Sequence, residues 1–157
     1  MTTSLEIEES FLDEHVEIAC EFLNIKVPSY IEFKISNRKG NINKLIGRGV
    51  YTIHDKNEAY YVGMSNSSKT GGMRLRFLSH LRKINGTKGT ISWNYFLEEY
   101  AVAMDLDLDN LVFRGYHMLG YKPSKILALE SILIDRLRPI ANDEIYNEIM
   151  ESSSDCN

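Results

Sequence analysis

Two β-rich runs separated by a short polar turn restrict the fold of this chain more than any other feature. The runs are VYTIH and AYYVGM, and residues 55–58, DKNE, form the turn between them. Runs of β-branched and aromatic residues on either side of such a turn are typical of a β-hairpin. The sequence therefore predicts antiparallel strands over residues 49–54 and 59–65.

Three other stretches carry apolar residues at helical spacing. They cover residues 5–23, 73–84 and 124–138, and the last of them lies between Pro123 and Pro139. A further strand is predicted over 111–117, and YIEFKI (residues 30–35) alternates like a short strand. We therefore expect an α/β (α+β) fold. Its small, mainly antiparallel three-stranded sheet would contain 49–54, 59–65 and 111–117, flanked by helices and with an extra N-terminal helix.

Length and composition are those of one folded domain. The chain has 157 residues, of which 43% are hydrophobic and 25% charged, which excludes a disordered or low-complexity chain. No apolar run approaches the ~20 residues needed to span a bilayer. The acidic start, MTTSLEIEES, lacks the features of a secretory signal, and Cys20 and Cys156 fit neither a disulfide framework nor a zinc spacing. A cytoplasmic, intracellular protein without a membrane partner is expected.

The charge is distributed unevenly along the chain. Residues 1–33 carry one basic residue against eight acidic ones, and residues 93–157 carry five against twelve. Between them, residues 34–92 carry twelve basic residues against two acidic ones. A strongly basic middle in a protein of net charge −4 indicates either a local anion-binding surface or a solvated face.

Chemically active residues recur in order along the expected elements. In chain order they are Gly49-Val50-Tyr51, Tyr61-Val62-Gly63, Arg76, His80, Glu130 and Asn142. This series resembles the GIY-YIG nucleases: GVY and YVG stand for the two name motifs, RFLSH for the Arg-x-x-x-His helix, and LESILIDRLRPIAN for the Glu helix and its asparagine. The resemblance covers residues 47–145. It leaves 1–46 as an N-terminal extension and 146–157 as a polar tail of a single domain.

Two departures from the family pattern stand out. Both name motifs carry Val for Ile, and the loop that includes SNSSKTGGM is long, as in the family's restriction endonucleases. The resemblance implies a divalent-metal-dependent endonuclease that hydrolyses DNA, of restriction type. The alternatives are a structure-directed repair or mobile-element nuclease, and a non-catalytic nucleic-acid-binding module that retains the fold.

The residues themselves allow part of this chemistry to be argued. Glu130 shares a helix face with core leucines, where a carboxylate is costly unless it is paired or binds a cation. One Mg²⁺ or Mn²⁺ ion held by Glu130 is therefore expected, with a surface carboxylate as the alternative. Arg76 offers a planar guanidinium for a phosphate oxygen, although Arg74 could compete for that role. The family resemblance implies that Asn142 ties the segment after the Glu helix to that helix.

The general base is left open between two residues. The resemblance implies that Tyr51 lies by the scissile phosphate, with Tyr61 positioning it or the water. A phenol of pKa ~10 is a poor base at neutral pH. The pKa of Tyr51 must therefore be lowered by Arg76 or the metal, or its proton must pass to His80, which is itself the rival base.

Two interaction surfaces complete the expectations. Loop and helix cations flanking the site would contact the DNA backbone, namely Lys69, Arg74, Lys83 and Lys88. The apolar face of the N-terminal helix, which includes Phe11 and Phe22, could form a homodimer. Packing of that face on its own sheet is the favoured alternative.

Overall fold

The computed structural model describes residues 11–67, 72–84, 109–139 and 142. Within these ranges the strands are β1 (Tyr30–Lys34), β2 (Gly49–His54), β3 (Ala59–Ser65) and β4 (Val112–His117). The helices are α1 (Phe11–Phe22), α2 (Gly72–Ile84) and α3 (Pro123–Leu137). Two short 3-10 turns, Ile35–Asn37 and Ile42–Lys44, connect β1 to β2. The mixed α/β fold class is confirmed, as are the hairpin and its bounds.

The sheet has four strands, not the three that were predicted. Its order is β1-β4-β2-β3, and every neighbouring pair is antiparallel. The additional strand is YIEFK, whose Tyr30 pairs with Tyr116 and whose Lys34 pairs with Val112. Because β1 comes from the predicted N-terminal extension, that extension is an integral part of the sheet.

Helices α1 and α3 cover one face of the sheet. Leu12, Val16 and Ala19 of α1 are buried in an apolar cluster with Ile126, Leu129 and Leu133 of α3 and with Val50, Val62 and Tyr116 of the sheet. Helix α1 therefore packs on its own chain, as the favoured alternative proposed. The face predicted for it was only partly right, because Ile18 is 39% exposed and Phe22 is 81% exposed.

Helix α2 covers the opposite face. Its Met73 and Phe77 are buried with Tyr51, Phe113 and Leu45 in a second apolar cluster. The rings of Phe77 and Phe113 lie 4.7 Å apart and nearly edge to face, an arrangement that aromatic pairs favour. The backbone N–H of Met73 donates to the carbonyl of Gly47 at 2.9 Å. This bond joins the first turn of α2 to the segment that leads into β2.

No helix within the described ranges combines the length and the apolar character that crossing a membrane requires.

Candidate active site

Tyr51 lies at the centre of the sheet face that α2 covers. Its side chain is buried, with 1% exposed, and its ring stacks on Phe113 at a centroid distance of 5.2 Å and an angle of 19°. The ring of Tyr61, on the neighbouring strand, is 6.2 Å away. The two tyrosines of the GVY and YVG motifs therefore lie side by side on one face, because strand pairing sets Tyr51 opposite Gly63.

Gly63 makes room for both tyrosines. A Cβ atom at this position would lie 2.5 Å from the Tyr51 hydroxyl oxygen, 2.6 Å from its Cζ and 2.8 Å from Cε1 of Tyr61. Ordinary contacts of a Cβ begin at 3.4 Å. The Tyr51 phenol thus crosses the strand directly above a residue that has no side chain. Gly63 consequently determines where the hydroxyl group lies.

Arg76 and Glu130 complete a polar cluster with the two tyrosines. Arg76 is half-buried on α2, and Glu130 is half-buried on α3. Burial raises the pKa of Glu130, and the positive charge of Arg76 opposes that rise. The charge of Arg76 also acts on Tyr51 and Tyr61, as does that of Glu130. We refer to Tyr51, Tyr61, Arg76 and Glu130 as the site cluster.

The site cluster forms at the β3 edge of the sheet. Helix α3 packs on the face opposite Tyr61, yet the charge of Glu130 reaches both tyrosines. Since β3 is an edge strand, no further strand within the described residues separates the two faces there. Arg74, in contrast, is exposed on α2, two residues before Arg76. Arg76 is therefore the better placed of the two arginines that competed for the phosphate role.

The tyrosine pKa values shift in the direction opposite to the one expected. Burial raises the pKa of Tyr51 well above its usual value, and Tyr61 and Glu130 raise it further, while Arg76 opposes them. Burial also raises the pKa of Tyr61, with Glu130 adding to the rise and Arg76 opposing it. The expectation that Arg76 lowers the pKa of Tyr51 is wrong as a net effect. Desolvation of a fully buried phenolate outweighs one half-buried guanidinium.

Asn142 binds the edge strand through its side-chain amide. The N–H of Val62 donates to its Oδ1 at 2.9 Å, and its Nδ2 donates to the Val62 carbonyl at 2.9 Å. Its backbone N–H donates to the carbonyl of Pro139. The amide therefore satisfies both outward-facing backbone groups of the residue between Tyr61 and Gly63. The predicted tie to the Glu helix is wrong: the side-chain partner is β3.

Several predicted site residues fall outside what the structure describes. Lys69 and Lys88 lie outside the described residues. His80 and Lys83 belong to α2, but their side chains are outside the described part. The described site is thus made of the site cluster, Gly63 and Asn142.

Glu130 is the residue of the site cluster that could hold a divalent cation. Within the described part of the chain, its half-buried carboxylate makes no hydrogen bond or salt bridge. No group of three or more His, Cys, Asp or Glu side chains that could hold a metal occurs there. A single carboxylate suits Mg²⁺, which retains much of its hydration and binds through one or two carboxylates and phosphate oxygens. The donor set present therefore fits one hydrated Mg²⁺ or Mn²⁺ ion.

A buried ionic network was not anticipated from the sequence. Arg114 of β4 is 2% exposed and donates to Glu32 Oε2 and Asp13 Oδ1, each at 2.6 Å, and to the Tyr116 hydroxyl at 2.9 Å. His54 is also buried and lies 3.6 Å from Glu32. An arginine at the centre of an apolar strand was the available signal. The network joins α1 to the sheet on the face opposite the tyrosines.

No protein-family model matches the chain, and no curated protein sequence matches it significantly.

Proposed function

We propose that this protein is a divalent-metal-dependent endonuclease of the GIY-YIG type that hydrolyses DNA phosphodiester bonds. One observation supports the proposal above others: two tyrosines, an arginine and a glutamate from four different elements form one electrostatically coupled cluster. These residues are far apart in the sequence, and core packing alone does not require three ionisable side chains around a buried phenol. Restriction is the role we propose within this activity.

Each residue of the site cluster has a task in this chemistry. Hydrolysis requires water to attack phosphorus while the bond to the leaving oxygen breaks and negative charge develops on the phosphoryl oxygens. Arg76 would bind a non-bridging phosphate oxygen through its planar guanidinium. Glu130 would hold the metal ion, which supplies Lewis-acid stabilisation of that charge when it is bound. Asn142 and Gly63 would hold the strand and the phenols in position.

Proton transfer is assigned with Tyr51 as a neutral phenol. Because burial raises its pKa, Tyr51 at neutral pH can orient the water and relay a proton, but it does not accept one as a stored phenolate. Relay of that proton to His80, the residue one helical turn beyond Arg76, is the arrangement we propose for the general base. Half-buried Tyr61 would fix the orientation of the Tyr51 ring.

Cleavage of DNA by the Glu130→Gln variant tests the proposal directly. Supercoiled plasmid and genomic DNA of high sequence complexity would be incubated with the wild type in Mg²⁺, Mn²⁺ or EDTA. We expect cleavage that depends on the metal and falls at least about 100-fold in Glu130→Gln, the effect of removing one transition-state stabiliser. Binding to DNA in EDTA should persist. Glu17→Gln, an exposed glutamate of α1, is the matched control and should cleave normally.

Two outcomes contradict the proposal in different ways. DNA binding without cleavage by the wild type in either metal would favour the non-catalytic binding module. Cleavage that Glu130→Gln leaves unchanged would keep a nuclease but remove Glu130 from its metal site.

A further inference from the structure

The segment between β1 and β2 is the most basic surface within the described residues. Residues 34–48, the basic connector, carry five cations and no acidic residue: Lys34, Arg38, Lys39, Lys44 and Arg48. No acidic residue occurs between Glu32 and Asp55. The ion pairs within the described ranges belong to Arg114 and His54. Thus none of the five cations has a carboxylate partner there. A solvated face in an acidic protein has no need for such segregation.

Local hydrogen bonds hold the basic connector in one conformation. Arg38 Nη1 donates to the Ile35 carbonyl at 3.1 Å, and Asn41 Nδ2 donates to the Asn37 carbonyl at 2.8 Å. Ile35 and Leu45 are 1% and 2% exposed and anchor the two ends in the core. The apolar residues therefore point inward. The lysines are exposed, so a ligand would meet a surface whose backbone is already ordered.

The basic connector lies on the same face as the site cluster. Its Leu45 belongs to the apolar cluster that contains Tyr51 and Phe77, and the Gly47 carbonyl accepts the hydrogen bond from the start of α2. It begins at β1, three strand spacings from β3, which is ~14 Å across the sheet. Duplex DNA carries one charge per ~1.7 Å of its axis, so ~8 phosphates fall within that distance. A duplex whose scissile phosphate lies at Arg76 therefore reaches the connector.

We propose that the basic connector is a phosphate-binding surface that holds duplex DNA across the α2 face, beside the cleavage site. The inference rests on the proposed nuclease function. It adds a described surface to the loop and helix cations considered from the sequence. Lysines and arginines contact phosphates without reading bases, so this surface supplies affinity and orientation, and sequence selection resides elsewhere.

The test is the salt dependence of DNA binding by a triple variant, Lys34→Gln, Lys39→Gln and Lys44→Gln. All three lysines are exposed, so the fold is retained. Each phosphate contact contributes ~0.9 to the slope of log K against log salt, and about fivefold in affinity at 0.15 M salt. We expect the slope to fall by up to ~2.7 and the affinity by up to ~100-fold. The control is Lys26→Gln, Lys56→Gln and Lys122→Gln, which makes the same charge change at exposed positions outside the connector.

Binding would be measured by fluorescence anisotropy on a labelled duplex in EDTA, and cleavage in Mg²⁺ at saturating protein. A lower slope and affinity in the connector variant than in the control variant supports the proposal. Equal losses in the two variants overturn it and indicate a general charge effect. If the connector variant binds as tightly as a wild type that cuts DNA, the connector proposal fails and the nuclease stands. If the wild type neither binds nor cuts DNA, both proposals fail.

Discussion

Substitution of Gly63 by alanine is a direct test of how the tyrosines are held. Alanine would normally favour a strand position, since glycine there is about 0.5–1 kcal/mol less stable. Here the added Cβ would lie 2.5 Å from the Tyr51 hydroxyl oxygen, so the phenol must retreat by about 0.9 Å to reach ordinary contact. Tyr51 is buried and stacked on Phe113, which leaves it little space.

The magnitude follows from these opposing effects. Overpacking of a buried site costs about 1–3 kcal/mol, which exceeds the gain in strand propensity. We therefore expect Gly63→Ala to lower the free energy of unfolding by about 1–2 kcal/mol. In a chain of this size that corresponds to a fall in Tm of about 2–8 °C. Displacement of Tyr51 by nearly 1 Å should also lower the cleavage rate by about 100-fold.

Urea unfolding of four proteins would separate the Tyr51 clash from other causes. Tyr51→Leu removes the two atoms that the new methyl group would meet first. In the Tyr51→Leu background, Gly63→Ala should therefore be neutral or stabilising, and the double-mutant cycle should show a coupling of about 1–3 kcal/mol. Gly120→Ala is the control, because a Cβ there meets nothing within 4 Å. An equal cost of Gly63→Ala in both backgrounds would refute the reasoning.

Two further predictions concern stability. Asn142→Ala removes both hydrogen bonds to Val62 and should lower the free energy of unfolding by about 1–2 kcal/mol and increase hydrogen exchange at Val62; unchanged exchange there would contradict the assigned contact. Although burial raises the pKa of Glu32, contacts with His54 and Arg114 outweigh it and leave the pKa lowered. A lowered pKa means that this stabilisation is present above pH ~4.5 and is lost as the pH falls through the folded-state value. The stability difference between wild type and Glu32→Gln should therefore shrink from pH 7 to pH 3 in urea titrations, and a difference that grew toward acid would reverse the sign of the argument.

Local structure was well predicted because its signals are local. The hairpin strands were predicted to the residue, and the predicted helices 73–84 and 124–138 begin and end within one residue of α2 and α3. The turn DKNE and the spacing of the apolar residues in each helix depend on neighbours in the chain. The ranges in the N-terminal half were less complete. YIEFK was identified as strand-like, but nothing local specifies that its partner is β4, more than 75 residues later.

The residues of the candidate site were also proposed from the sequence, by type and order. What their order does not contain is burial. Tyr51 is fully buried beneath Gly63, and desolvation then raises its pKa, the reverse of the expected shift. Asn142 was expected at a helix and instead pairs with the edge strand, because only the assembled sheet shows which backbone groups are left without a ladder partner.

The amino-acid sequence by itself therefore determined the helices, the hairpin, the basic middle of the chain and the polar residues that any active site here could use. The tertiary structure alone decided that β1 joins the sheet, that Arg114 is neutralised by Asp13 and Glu32, and that the basic connector shares a face with Tyr51. The physical reason is range. Periodicity and turn chemistry act over a few residues, whereas burial, strand partners and electrostatic neighbours arise from contacts between segments that only folding brings together.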